Sequence, residues 1–427
     1  MTNSRTEGDE AMSNEEKVAS LGDFQEMEIG DAAGEMSQLL QGALVDLSNP
    51  QPNYVKLIEQ GGFVEVAPGM VLSQDRENTQ FVLRHHELFS SNVEMSLGNV
   101  RPLIPLNVDP PNHSKYRKLL DPMFAPRKME AQEEYITQRA NDFIDAFIER
   151  GSCNFSEEFA ELFPSSVFLG LLGLPQDQME AMLNLRDHIL HPEKIDPNAA
   201  LDIEARRAVM NLGGQMIYAF VGNLIDLRSV EPADDIITTL LTTEVGGDKM
   251  SREDIMDLMY LFIIAGLDTV SDSLTCFFAF LAQHPEKQRE LAENPELISS
   301  AVEELLRWES PVPSGVPRVA TEDVTLPGGQ EVAKGTAVVV SYGAADMDPT
   351  TFGNPFDVDF ERSPNNHIAF GGGVHRCLGS NLARRELRVV LREWHRRIPE
   401  YRLAPGHEDL EYPAGLRHVK DLTLSWG

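Results

Sequence analysis

Three short stretches of the 427-residue chain carry side chains whose types and spacing could do chemistry. The sharpest is FGGGVHRCLG (370–379), followed at once by a helical pattern in which Leu382, Leu387, Val390, Leu391 and Trp394 share a face. Cys377 therefore stands at a helix start, where free backbone N–H groups and the positive end of the helix dipole stabilise a thiolate. The glycines before it let the backbone pass close to a flat ligand in conformations that other residues avoid. Taken alone, Cys-Leu-Gly is more often a turn ending in a buried, inert cysteine. The second stretch is VEELLRW, where Glu304 and Arg307 lie three apart on one helical face and can pair, although most such pairs are solvated and do nothing more. The third is AGLDTV (265–270). A mid-helix threonine can simply return its hydroxyl to the carbonyl four residues back, here Ala265. The adjacent aspartate is costlier to explain, because a carboxylate in an apolar stretch needs a partner or a task.

As a whole, the ten-residue string matches the haem-binding pattern FGxGxHxC of the cytochrome P-450 family at Phe370, Gly371, Gly373, His375 and Cys377. The chain resembles that family, in its soluble bacterial class, over about residues 40–427. The resemblance implies haem b with Cys377 as the axial thiolate on iron, and Phe370, Gly371, His375 and Gly379 against the cofactor. It makes Glu304 and Arg307 the family's ExxR element, a pair that locks the loop carrying a second arginine, Arg362 in DFERSP. Asp268 and Thr269 become the pair that delivers protons to bound dioxygen. His113, Arg117, Arg318 and His375 become the partners of the haem propionates, two carboxylates that must be compensated inside a protein.

By family position Leu106, Leu261, Ile264, Ala265, Ser314 and Val316 face the substrate pocket, and most are apolar. Such a pocket selects by shape. The central motif and the run IPLNVDPP are most like the camphor hydroxylase branch, which suggests a compact terpenoid. The segment 91–106, however, has no tyrosine to bond a ketone, and Arg101 offers a different anchor, for a fatty-acid carboxylate. The implied reaction inserts one atom of O2 into a C–H bond. Electrons would come from NAD(P)H through a ferredoxin and its reductase, since no flavin or iron–sulfur domain is visible. Lys115, Arg117, Lys118, Arg127 and Arg376 could supply a basic face for that partner. A peroxide-driven peroxygenase is the alternative enzyme, but peroxygenases of the family usually replace the acid–Thr pair that this chain retains. A non-catalytic haem protein is the other alternative, and Asp268 with Thr269 argue against it.

The elements that must position these residues are mostly helical. Helices are expected near 53–60, 76–87, 112–120, 129–150, 156–172, 177–190, 200–227, 286–292, 295–308 and 379–398, with a hairpin over 63–72 and a strand-rich portion over 315–342. The longest expected helix covers 251–283, because Ser251 with Asp254 reads as a capping box and no proline intervenes before Pro285. It would run about 48 Å and cross the core above the haem. The fold class expected is mainly α with a smaller β portion, the cytochrome P-450 fold.

Composition bounds the rest. With 42% hydrophobic and 24% charged residues the chain is globular in character. Its 36 basic against 68 acidic residues, a net charge of -32, disfavour nucleic acid and anionic membranes as partners. Three cysteines without a CxxC pair fit a reducing cytoplasm and leave one free to be a ligand. The most apolar run, 258–267, is too short to cross a bilayer. Residues 1–35, with ten acidic side chains against Arg5 and Lys17, read as a disordered tail, and 36–427 as one catalytic domain, expected to act as a monomer. His85–His86 and His188 with His191 have spacings that could suggest metal ligands, but no accompanying cysteine or carboxylate pattern supports that, and they read as unremarkable.

Overall fold

The computed structural model describes residues 47–93, 97–245, 248–413 and 415–427. The expected acidic tail lies outside them. Helices dominate and a five-stranded sheet sits to one side. The sheet is built from β1 (Phe63–Ala67) and β2 (Met70–Ser73), then β3 (Phe89–Ser90), β4 (Arg318–Ala320) and β5 (Ala337–Val340), in the spatial order β1-β2-β5-β4-β3. The hairpin β1–β2 forms as its alternation and the Pro68-Gly69 turn predict, with Gly69 at φ +74°. β2 pairs parallel with β5, its partner from far along the chain, so the sheet joins the N-terminal region to the strand-rich portion.

Around the sheet lie α1 (Arg76–Arg84), α2 (Asn112–Leu120), α3 (Glu133–Phe147), α4 (Met179–Leu190), α5 (Ile203–Val230), α6 (Arg252–Gly266), α7 (Thr269–Gln283), α8 (Ile298–Glu309) and α9 (Ser380–Arg397). The amphipathic stripe of α9 packs Leu387, Val390, Leu391 and Trp394 into a core shared with α3, α7 and α8. A second apolar cluster joins α4, α5 and α6 with residues that precede α2, including Leu103 and Ile104. Two long elements, Ile203–Val230 and Arg252–Gln283, are apolar enough by length and composition to span a membrane, but the most apolar stretch of the second is 72% buried within the protein and that of the first 44%, as core helices require.

The central helix departs from expectation in one respect. Ser251 caps it as predicted, its hydroxyl accepting from the Asp254 N–H at 3.0 Å. Yet it is two helices, α6 and α7, with Leu267 and Asp268 in the bend between them. The expected helix 129–150 is likewise divided, into Pro126–Glu130 and α3. Short helices at Ile236–Thr242 and Tyr342–Asp346 were not foreseen. Each begins at a side-chain cap, Asp235 or Ser341, in a stretch too short for periodicity to register.

The segment before α2 rests directly on α5. A Cβ on Gly214 would overlap the carbonyl oxygen of Gly98, and one on Gly98, whose φ is +73°, would overlap that of Met210. Two glycines thus let two backbones touch.

Candidate active site

The Cys377 loop is held open by its glycines and closed by its backbone. Gly371 and Gly373 take φ +68° and +65°, and a Cβ on Gly373 would collide with the Leu83 carbonyl at the end of α1. The Cys377 N–H donates to the Phe370 carbonyl at 2.9 Å, which pins the two ends of the loop together. Arg384, one turn into α9, stacks over the Phe370 ring at 4.3 Å and pairs with Glu303 of α8 at 2.7 Å. The Cys377 side chain is accessible even though protein surrounds it. Burial pushes its thiol pKa up, while the Gly379 N–H and the charges of Arg117, Arg376 and Arg384 pull the other way, toward thiolate. Cys153 and Cys276 are buried, and burial raises both thiols, so neither resembles Cys377.

Four expected donors converge beside this loop. The rings of His113 and His375 lie 4.2 Å apart. Burial, and then the charges of Arg318, His113 and Arg117, push His375 down to about 2. Burial and then Arg117 push His113 down to about 4. Arg318 is buried, its Nη1 donating to the carbonyls of Val316 and Pro317 at 2.8 and 3.2 Å, and among the described residues no carboxylate pairs with it. Arg117 Nη1 donates to the Arg376 carbonyl at 2.8 Å, tying α2 to the loop. His113 Nε2 is buried without a hydrogen-bond partner. A cluster of mutually repelling donors with an orphaned ring nitrogen suits a dianion, and a thiol beside it suits iron, so these residues fit a haem.

On α8, Glu304 and Arg307 pair at 2.8 Å with neither side chain exposed, and Arg362 joins them at 3.0 Å. Glu304 also accepts from Asn365 Nδ2 and the Asp359 N–H. The solvated-pair reading of this motif is therefore excluded. Arg307 reaches the Asp346 and Asp357 carbonyls, so one buried carboxylate and one guanidinium organise the segment that leads into the Cys377 loop.

At the α6–α7 bend the two expected proton-delivery residues point to different partners. Thr269 Oγ1 donates to the Ala265 carbonyl at 3.2 Å, the self-contained bond its position allows. Asp268 turns away from it, to His191 Nε2 at 2.7 Å and Arg186 Nη1 at 3.3 Å. The unremarkable reading of His191 is corrected by this contact, which joins residues 77 apart in sequence. His85 and His188 bond the carbonyls four residues back, Phe81 and Asn184, through Nδ1 at 2.8 Å each. Of the expected pocket residues, Leu106, Leu261, Ala265, Ser314 and Val316 keep exposed or partly exposed surface, while Ile264 is 6% exposed and belongs to the core.

Two expectations about arginines are also corrected. Arg101 is not a free anchor: its Nε is paired with Asp257 of α6 at 2.7 Å, and it lies over the Tyr218 ring at 5.1 Å, whose hydroxyl donates to the same carboxylate at 2.9 Å. In the expected basic face, Lys115, Lys118, Arg127 and Arg376 are exposed, but Arg117 is half-buried and turned toward the Cys377 loop.

The profile of the family described as "Cytochrome P450" matches residues 223–397. A probable cytochrome P450 (127A1) of Sinorhizobium fredii is 34% identical over 82% of this chain and 80% of its own length. A mycinamicin IV hydroxylase/epoxidase of Micromonospora griseorubida is 34% identical over 75% of this chain and 79% of its own. Among solved structures, P450BioI in complex with a fatty-acyl-loaded acyl carrier protein superposes with a TM-score of 0.79 at 28% identity, covering 89% of this chain and 99% of the other.

Proposed function

Because this chain belongs to the cytochrome P450 family, we propose that it is a haem-thiolate monooxygenase that hydroxylates a compact, neutral hydrophobe. When bound, haem supplies reductive activation of O2, with one oxygen atom entering a C–H bond of the substrate and the other leaving as water. The chain's own residues do the rest. Cys377 is the thiolate that holds the iron: burial raises its thiol, and the Gly379 N–H and three nearby arginines offset part of that. His113, Arg117, Arg318 and His375 receive the propionates. Glu304, Arg307 and Arg362 hold the segment that leads to the thiolate. Asp268 and Thr269 supply protons from the bend between α6 and α7.

Leu106, Leu261, Ala265, Ser314 and Val316 give the substrate an apolar surface with a single hydroxyl, which orients by shape. With Arg101 committed to Asp257, a fatty-acid carboxylate has lost its expected anchor. A terpenoid-like hydrophobe is the better fit. The similarity to a mycinamicin IV hydroxylase/epoxidase makes mycinamicin IV the comparison to include. Electrons would reach the site from NAD(P)H through a ferredoxin and its reductase, docked against Lys115, Lys118, Arg127 and Arg376.

The observation that carries this reading is the convergence of four propionate-type donors on an accessible cysteine. Its test is the absorption spectrum of the reduced, CO-bound protein. The long-wavelength band of thiolate ligation should be present, and Cys377→Ser should abolish it while Cys153→Ser and Cys276→Ser retain it. A holo-protein without that band refutes the assignment.

A further inference from the structure

The end of α7 and the end of α8 meet the loop 354–362 around a cavity of about 610 Å3. Its lining combines aromatic rings with carboxylates that no protein cation neutralises. We propose that this cavity is a second ligand site, beside the Glu304 network, and that it takes an organic cation carrying an alkylated ammonium group. Binding there is independent of the haem assignment, and only its effect on haem retention rests on that reading.

The aromatic part comes from three segments. Phe280 belongs to the last turn of α7 and is buried. The His284 ring stacks on it with centroids 4.1 Å apart, fixed by an Nδ1–H bond to the Phe280 carbonyl at 2.8 Å. Trp308 of α8 brings its ring to 6.2 Å from Phe280, and its carbonyl accepts from Gln51 Nε2 at 3.0 Å. Phe356, from the loop, is 45% exposed, one of the few large apolar side chains that the fold leaves in water. Folding has not recovered the hydration cost of that ring, and a ligand in the cavity would cover it. The volume is in the usual range of small-molecule sites.

Charge selects the ligand. Lysine and arginine line the cavity once each, and both are already matched. Lys287 Nζ pairs with Glu290 at 2.9 Å and lies over the Phe360 ring, and Arg362 Nε pairs with Glu304 at 3.0 Å. The carboxylates are not matched. Glu286, Asp357 and Asp359 are exposed, and among the described residues none of them forms an ion pair. Asp357 Oδ2 accepts from the neutral amide of Asn354 at 2.6 Å, and Asp359 Oδ1 from the Glu361 N–H at 2.9 Å. The face of an aromatic ring is electron-rich, so an ammonium near Phe280, Trp308 and Phe356 gains from the rings as well as from the carboxylates. An anion gains from neither, because the guanidinium and ammonium that would hold it are engaged by Glu304 and Glu290. A bare metal ion is also excluded: among the described residues no three carboxylate or imidazole groups converge closely enough to replace its hydration shell.

Shared residues couple this site to the segment that leads into the Cys377 loop. Arg307 Nη2 and Arg362 Nη2 both donate to the Asp357 carbonyl, at 3.2 and 2.7 Å, and the Asp359 N–H donates to Glu304 at 3.1 Å. A cation held by the side chains of Asp357 and Asp359 therefore braces the same backbone that the Glu304 network braces through its amides and carbonyls. A ligand that binds the closed segment and not the opened one favours the closed form by mass action, roughly tenfold at ten times its Kd. The occupant is thus an effector of haem retention and not a substrate.

The test compares choline with 3,3-dimethylbutan-1-ol, which has the same shape with carbon in place of the charged nitrogen, by calorimetric titration of the holoenzyme. Choline should bind saturably, roughly tenfold tighter than the neutral alcohol, and leave the haem absorbance spectrum unshifted. Phe356→Ala and Asp357→Asn, both at exposed positions and the second keeping its backbone carbonyl, should each weaken choline by about threefold or more. Lys287→Gln removes a like charge and frees Glu290, so it should strengthen binding. At ten times its Kd, choline should slow transfer of haem to an excess of a haem-scavenging protein roughly tenfold, and Phe356→Ala should reduce that protection. Equal affinity for the neutral alcohol, a haem spectrum that shifts on binding, or choline affinity unaltered in Phe356→Ala and Asp357→Asn overturns the proposal. If Asp357→Asn fails to fold, Glu286→Gln, exposed on a different element, takes its place in the comparison. Choline that binds as expected without slowing haem transfer overturns the effector role and leaves the cation site standing. Loss of the CO band in Cys377→Ser bears on the haem reading alone, since the titration of Phe356→Ala against wild type does not depend on the thiolate.

Discussion

Glu304→Ala is the substitution with the largest worked consequence. The Glu304 carboxylate accepts from Arg307 Nε and Nη2 at 2.9 and 2.8 Å, from Arg362 Nε at 3.0 Å, from Asn365 Nδ2 at 2.9 Å and from the Asp359 N–H at 3.1 Å. Both Glu304 and Arg307 are 0% exposed, so water cannot replace what is removed. Truncation leaves a buried guanidinium without its counter-ion, which costs about 3–5 kcal/mol. A solvated i,i+3 pair would cost about 0–1 kcal/mol, so the two descriptions differ by more than the error of a denaturation curve. Glu304→Gln keeps the shape and some acceptors but not the charge, and should fall between. Arg307→Lys should be nearly as damaging as the alanine, because a single ammonium cannot pair side-on with Glu304 while reaching the Asp346 and Asp357 carbonyls. The assay is equilibrium unfolding of the holo-protein by denaturant, followed by far-UV circular dichroism and by haem absorbance. Haem loss should precede global unfolding in Glu304→Ala, since the disturbed segment leads into the Cys377 loop. A cost below about 1 kcal/mol with haem retained would refute the claim that this carboxylate organises the loop.

Glu303 provides a pH test: burial would raise it, but His367 and Arg384 hold it down to about 2 from 4.5. Its contribution is therefore complete above pH 4.5 and lost as pH falls toward 2, and Glu303→Gln should flatten that part of the acid-unfolding curve. Asp257→Ala frees the Arg101 guanidinium, so fatty acids should bind roughly tenfold tighter in spin-state titrations while neutral terpenoids change little. Unchanged fatty-acid affinity would place Arg101 outside their reach. Lys118→Glu should slow reduction by an acidic ferredoxin, most strongly at low salt in stopped-flow measurements, and an unchanged rate at low salt would take Lys118 out of the docking face.

What could be read in the sequence was what the chain keeps contiguous. FGGGVHRCLG places five matching residues within one loop, and Glu304 needs only Arg307 one turn away, so both motifs declare themselves locally. Their depth does not. That the Glu304–Arg307 pair is wholly enclosed depends on Arg362 and Asn365 closing over it from another segment. The two contacts missed most completely, His191 with Asp268 and Arg101 with Asp257, join residues 77 and 156 apart, and a charged side chain gives no sign of which distant partner it will meet. The bend at Leu267 and Asp268 escaped for a different reason. The apolar periodicity runs through it without a break, and what meets at the bend is a single glycine, Gly266, a Thr269 hydroxyl bonded to the Ala265 carbonyl, and an Asp268 side chain drawn to Arg186 and His191.

The contact between Gly98 and Gly214 bears on how this scaffold could be altered. The segment around Gly98 and the helix α5 can be redesigned only together, because each lies against the other. Their independence is limited by one shared point, where a methyl group on either side has nowhere to go. A library that randomises both segments should therefore show two intolerant columns inside otherwise permissive ones, and the survivors that break the rule should be those in which loop and helix have parted company. The pair works as a rivet does: it fixes loop and helix at one point, so neither can be recut without the other.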